Sequence, residues 1–232
     1  CLMMLIVVGS FFSMSYAQTT YYSKSTATDF SDVNSWGTAT DGTGTAPATI
    51  SNADNFVVQN NAVMTMSAST TVRQLTITSG SLTVSANTLT VQIASQKSSS
   101  LLINGGTLNV SGGNVNIDGY LSFTSGFFNQ SGGTITVDPN NGGATATSTT
   151  SSQYTLNITS SNGVNWTGGS LVLLDPPAST STSHYSIYYS TSVSSEVSTN
   201  HTLKFGDGVS ADAGGSTSGF YIYNYVGSGK LN

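Results

Sequence analysis

Ionisable side chains are scarce in this sequence. Of 232 residues, 6% are Asp, Glu, Lys or Arg, against roughly 25% in an ordinary soluble domain. The five basic residues, Lys24, Arg73, Lys97, Lys204 and Lys230, are scattered, and the net charge is −5. No basic stripe exists, so binding to nucleic acid or to an anionic membrane surface has no electrostatic basis. There is one cysteine, Cys1. It precedes an apolar run, so it is not the lipidated Cys that follows a lipoprotein cleavage site. Without it the chain holds no thiol for a disulfide or a thiolate metal site. Nucleophile-elbow, phosphate-loop, dinucleotide-fold and HExxH motifs are all missing. Both histidines, His184 and His201, lack a Glu or Cys at metal-ligand spacing.

Ser, Thr, Gly and Asn fill the place of the charges. A polar chain can be disordered, but disordered chains usually carry high net charge and few β-branched or aromatic residues. Here Val, Ile and Thr alternate, and there are 11 Tyr and 9 Phe. The sequence reads as a folded β protein.

Residues 2–12 are apolar, too few to span a bilayer, and Ser15-Tyr16-Ala17 follows with small residues at both positions a signal peptidase reads. Residues 1–17 therefore read as a secretory signal, which makes the protein extracellular and leaves no membrane span after cleavage. No basic segment precedes the run and no polar cap follows residue 226, so the reading expects a longer chain. Residues 18–54, with Tyr21, Tyr22, Phe30 and Trp36, read as an entry cap over the first coil. Solenoids need such a cap because an uncovered end exposes strand edges and apolar surface.

Two stretches organise the rest: residues 108–118 (LNVSGGNVNID) and 128–138 (FNQSGGTITVD), identical at five positions twenty residues apart. A looser copy, residues 166–175 (WTGGSLVLLD), keeps the two Gly and a closing Asp. A turn, a short alternating strand and an Asp recurring at one coil length is how a solenoid looks in sequence. The expected fold is all-β: a right-handed parallel β-helix of about 20 residues per coil, with coils over 55–175 and a looser aromatic-rich continuation over 176–232. Leu75, Leu82 and Leu89 open the three strands of one coil, and Val115, Ile135 and Leu171 are expected in one inward column. The Gly-Gly pairs are expected to supply positive-φ corners. An antiparallel sandwich fits the turn spacing too, but not the twenty-residue match.

The candidates for chemistry are few. Asp118, Asp138 and Asp175 close three coils, and carboxylates one strand spacing apart, about 4.8 Å, could hold Ca²⁺ or act as a glycosidase pair. Asp-Gly at 118 and Asp-Pro at 138 and 175 are also turn dipeptides, and a turn role is the simpler reading. Asp207 and Asp212 lie in a Gly-rich loop without calcium-loop spacing. Trp36, Tyr185, Tyr188 and Tyr189 are candidates for stacking on carbohydrate. Thr-x-Thr pairs at Thr76/Thr78, Thr88/Thr90 and Thr134/Thr136 suggest the flat Thr ladder of some ice-binding proteins, but Asn114/Asn116 interrupt it.

Three parts of the chain resemble one group: residues 21–58, the SGGTITVD coils, and residues 200–208 (NHTLKFGDG). They are similar to long Thr/Ser/Gly-rich bacterial surface proteins exported through the type IX route. That resemblance implies an N-terminal signal, β-helical repeats and a C-terminal sorting domain, and it transfers no catalytic residues. The expected function is a secreted or cell-surface adhesive solenoid, non-enzymatic and without cofactor unless Ca²⁺ binds, contacting polysaccharide or cell-surface glycan. The alternative is a carbohydrate-active enzyme on the same scaffold, a polysaccharide lyase or glycoside hydrolase. The thin charged inventory weighs against its acid–base work.

Overall fold

The computed structural model describes residues 18–92, 99–138, 154–174, 186–195, 197–206 and 222–224. The protein is all-β: among the described residues the one helical segment is a 3₁₀ turn at Val33–Ser35. Its short runs of alternating Val, Ile, Leu and Thr suit strands buried on one face only. Sixteen strands join in one sheet. It is mixed, because Thr20–Ser23 pairs antiparallel with Trp36–Gly37, while the other strand pairs run parallel.

Successive segments pass in turn to three ladders. The first holds Thr20–Ser23, Asn55–Val58, Gln74–Ile77, the starts of Ser99–Val110 and Tyr120–Val137, then Leu156–Ile158, Ile187–Tyr189 and Ile222–Asn224. The second holds Val63–Thr65, Ser81–Val84, the end of Ser99–Val110, the middle of Tyr120–Val137 and the start of Val164–Leu173. The third holds Thr70–Val72, Thr88–Gln92, Asn114–Asp118, the ends of Tyr120–Val137 and Val164–Leu173, and His201–Phe205.

Partners one rung apart are separated by 20 residues at Asn109/Asn129, by 26 at Thr83/Asn109, and by more at Phe128↔Val164. The extra length falls at 93–98 and 139–153, between strands. Ladder register is therefore preserved while coil length is not, since only the strand segments must stack. The first and third ladders also continue past residue 175, at Ile187–Tyr189 and His201–Phe205. The signal segment 1–17 lies outside the described residues.

Along most strands buried and more open side chains alternate, as in Asn55–Val58, Gln74–Ile77, Ser81–Val84, Thr88–Gln92 and Asn114–Asp118. Phe56, Leu75, Leu101, Leu121 and Leu156 stack inward in the first ladder, and Met64, Leu82, Leu108 and Phe128 in the second; all are buried. In the third, Val115, Ile135 and Leu171 form one parallel column with no exposure. Each such side chain contributes about 1.5–3 kcal/mol by leaving water. They belong to one continuous core.

Thr20–Ser23 and Trp36–Gly37 stand at one end of the strand order. Trp36 packs edge-on against Phe30 and Phe56, at ring separations of 5.0 and 4.9 Å, and its indole N–H donates to Phe30 O at 3.0 Å. Asp29 ties this segment to the turn after Val63–Thr65, accepting from Ser67 Oγ and from the amides of Ser31 and Ser67. Burial pushes the Asp29 carboxyl up, but those hydrogen bonds outweigh it and hold the group below its ordinary value.

Glycines shape the turns for a reason beyond φ. Gly133 and Gly169 have positive φ, +65° and +81°, but Gly113 and Gly132 do not. At all four, a Cβ would come within 2.0 to 2.7 Å of a carbonyl oxygen in the neighbouring coil. The corners stack too closely to admit a side chain.

Candidate functional site

The outward residues of each ladder form the surfaces available for recognition. On the third ladder one column runs Thr88, Asn114, Thr134, Ser170, Thr202, and the next runs Thr71, Thr90, Asn116, Thr136, Val172, Lys204. Thr88/Thr90 and Thr134/Thr136 thus share a face with Asn114/Asn116 between them, and Thr76 lies on the first ladder instead. No uninterrupted Thr array results.

The position after each inward Val91, Ile117 and Val137 places Gln92, Asp118 and Asp138 on one edge. Asp118 and Asp138 are half-buried on adjacent rungs. The next rung is Leu174, whose amide donates to Val137 O at 3.0 Å, as the Asp138 amide donates to Ile117 O at 2.8 Å. The extra leucine in WTGGSLVLLD therefore displaces Asp175 from the register of the other two, and Asp175 itself lies outside the described residues. Burial, and then the neighbouring Asp138 carboxylate, push the Asp118 carboxyl above its ordinary value. A carboxyl raised by folding prefers its proton in the folded state, so ionised Asp118 lowers stability once pH exceeds the ordinary Asp value, about 3.9. Asp118→Asn should accordingly raise the melting temperature at pH 7, by on the order of a degree for a half-buried group still partly screened by solvent. The gain should shrink as pH falls towards 4; a variant that melts lower at pH 7 would contradict the repulsion.

Of the four aromatic candidates, two turn out to be core residues. Trp36 has no exposure, so the entry tryptophan is a plug and is corrected from the carbohydrate-contact set. Tyr189 is equally buried, its hydroxyl donating to Val193 O at 2.6 Å and meeting Ser195 Oγ at 2.9 Å. The reason is parity: Ile187 and Tyr189 point inward and Tyr188 outward. Tyr188 stacks between Tyr154 and Tyr223, with ring centroids 4.3 and 5.5 Å away and interplanar angles of 10° and 11°. Both its faces are covered, so it presents an edge and a hydroxyl, not a platform for a sugar ring. Tyr185 lies outside the described residues, as do His184, Asp207 and Asp212.

The sequence reading missed two features. One is a buried polar cluster. Gln130 takes the place of Val84 and Val110 in an inward column and has no exposure. Its Nε2 donates to Ser170 O at 2.9 Å and lies 3.4 Å from Gly132 O and Gly133 O, which orients its Oε1 towards His201 Nε2 at 3.0 Å. Carbonyls only accept, so the proton of His201 sits on Nε2 and its Nδ1 is a bare buried acceptor. The ring stacks on Trp166 at 5.2 Å and burial pushes its pKa down. The chemistry is that of a neutral core histidine.

The other is an amide ladder on the second ladder's outer face. Thr65, Thr83, Asn109, Asn129 and Asn165 occupy successive rungs. Asn109 Nδ2 donates to Thr83 Oγ1 at 3.4 Å and Asn129 Nδ2 to Asn109 Oδ1 at 2.8 Å. The identity of Asn109 and Asn129 at the repeat spacing was the signal that could have revealed it. A surface depression of about 690 Å³ between the entry segment and the third ladder, lined among others by Ile50, Asn52, Thr71 and Gln92, has no ionisable group in its lining.

Among the described residues, no three His, Cys, Asp or Glu gather where they could hold a metal ion. No helix among them is long and apolar enough to cross a membrane. No family model matches the chain, and neither does any curated protein or solved structure.

Proposed function

We propose that this chain is a secreted or cell-surface β-solenoid, a right-handed parallel β-helix with a structural and adhesive role, contacting polysaccharide without cleaving it. The passage of successive segments through three parallel ladders supports the helix. Parallel crossovers are right-handed in about 98% of cases, which supports the hand. The apolar run with Ser15-Tyr16-Ala17 supports secretion. The three Thr/Ser/Gly-rich stretches support kinship with type IX surface proteins.

The observation that carries the adhesive reading is the chemistry of the outward columns. They present hydroxyls and carboxamides rung after rung, with very few ionisable groups. Such a surface can hydrogen-bond a glycan at many points, but it offers little for proton transfer. One observation favours the enzymatic reading: Asp118, its pKa raised, stands beside a second carboxyl, Asp138, and a glycosidase works with two carboxyls. Burial and the like charge itself raise it, and the column continues into Leu174, an apolar neighbour.

Incubating the protein with neutral and acidic polysaccharides, with and without Ca²⁺, separates the two. Retention on a polysaccharide without release of reducing or unsaturated ends is expected. Release that disappears in Asp138→Asn would replace the adhesive reading with the enzymatic one.

A further inference from the structure

We infer that the outer face of the second ladder carries a subsite for a neutral polysaccharide, built by Phe127, Asn129 and Asn165. The inference deepens the adhesive reading and rests on it.

Phe127 is 54% exposed, while Phe128 beside it points inward against Phe123 and Trp166. Its ring meets no other aromatic among the described residues, so it stays open to solvent. A lone exposed phenyl would need no explanation. What gives this one a use is the amide ladder two residues further along the same outward side. The bonded chain from Thr83 through Asn109 ends at Asn129. Asn129 Oδ1 accepts nothing from the described residues, and Asn165, on the next rung, is exposed and its side chain makes no hydrogen bond to them. Reversing the sense of the ladder would leave N–H groups of Asn129 uncapped instead. Either way, free carboxamide groups stand on two successive rungs beside an open aromatic ring.

A pyranose is a matching shape. Its axial C–H face is apolar and packs on an aromatic ring, while its equatorial hydroxyls both donate and accept at the rim. A carboxamide does both in turn. Rungs about 4.8 Å apart are comparable with the length of one sugar, so an extended chain lying along the stack meets a new rung with each residue. Charge selects the class. The outward positions flanking the subsite, Thr107 and Asn109 on the rung below, are neutral. An acidic polysaccharide would find no cation there, so a neutral one is assigned. The other faces fit less well: the first ladder's tyrosines cover one another, and the third carries Asp118, Asp138 and Lys204.

The test is retention of the full chain on insoluble β-1,4-glucan, and affinity electrophoresis in xylan and in polygalacturonate. Phe127→Ala should weaken retention on neutral polysaccharide about tenfold, and Asn165→Ala several-fold. Tyr188→Ala and Thr136→Ala, on the other ladders, should leave it unchanged, with folding checked by circular dichroism. Phe127→Tyr should retain binding. If Phe127→Ala fails to fold, the exposed Asn165→Ala and Asn165→Asp carry the same test. Neutral-glycan binding untouched by the Phe127 and Asn165 variants but lost in Tyr188→Ala or Thr136→Ala would overturn this subsite and leave the adhesive reading standing. Preference for polygalacturonate would overturn the neutral class. Retention on no polysaccharide would overturn both.

Discussion

Ile135→Asp is expected to unfold the protein at room temperature, while Thr136→Asp, one residue away, should change stability by no more than about 1 kcal/mol. Ile135 is completely buried between Val115 and Leu171 in the inward column of the third ladder. A carboxylate there would be desolvated among aliphatic side chains with no partner, at a cost of several kcal/mol, and the packing of the lost side chain would go as well. Native stability as a whole is about 5–15 kcal/mol. The effect should spread along the ladder, because Ile135 pairs with a parallel strand on either side, at Val115 and at Leu171. Thr136 faces outward between Asn116 and Val172. Its replacement stays hydrated, and the shared face with Asp138 adds only weak repulsion through solvent. Urea unfolding followed by circular dichroism measures both; similar losses for the two variants would mean that the inward and outward phases are assigned wrongly.

Gly133→Val should cost at least about 3 kcal/mol. Two effects act at the same atom. The φ of +65° is one that a β-branched residue adopts only with strain. The added Cβ would lie 2.0 Å from Gly113 O, a backbone atom of the coil below that cannot swing aside. Relief by moving Gly133 outward is opposed from the other side, since Gly169 already stacks on the Gly132 and Gly133 carbonyls. Ser131→Thr, at the exposed position just before this corner, should stay within about 0.5 kcal/mol. Equal urea midpoints for Gly133→Val and wild type would show that the corner has room.

The column of Val115, Ile135 and Leu171 was legible because period-two alternation and a twenty-residue match specify a face and a register together. The same match led to Asp175 as the third corner carboxylate, and there one inserted leucine was enough to break it: Leu174 occupies that rung. Trp36 and Tyr189 were candidates for sugar contact, and both are core. An aromatic side chain has the same identity inside and outside, and its parity relative to a short strand becomes definite only when the strand's partners are known.

The sequence by itself determined that this protein is all-β, that apolar and polar residues alternate along its strand segments, and that it has almost no charged groups to do chemistry with. Those properties are local: they follow from alternation, turn residues and composition, and no distant contact is needed to read them. Tertiary structure alone decided which outward residues stand together. Asn109 and Asn129 become hydrogen-bonded neighbours, Asn165 stands on the next rung, and Tyr154, Tyr188 and Tyr223 close over one another. It also decided that Gln130 and His201, 71 residues apart, meet inside an apolar column. The physical reason is that stacking joins residues by rung, and the number of residues between rungs is set by insertions that leave the ladder itself unchanged.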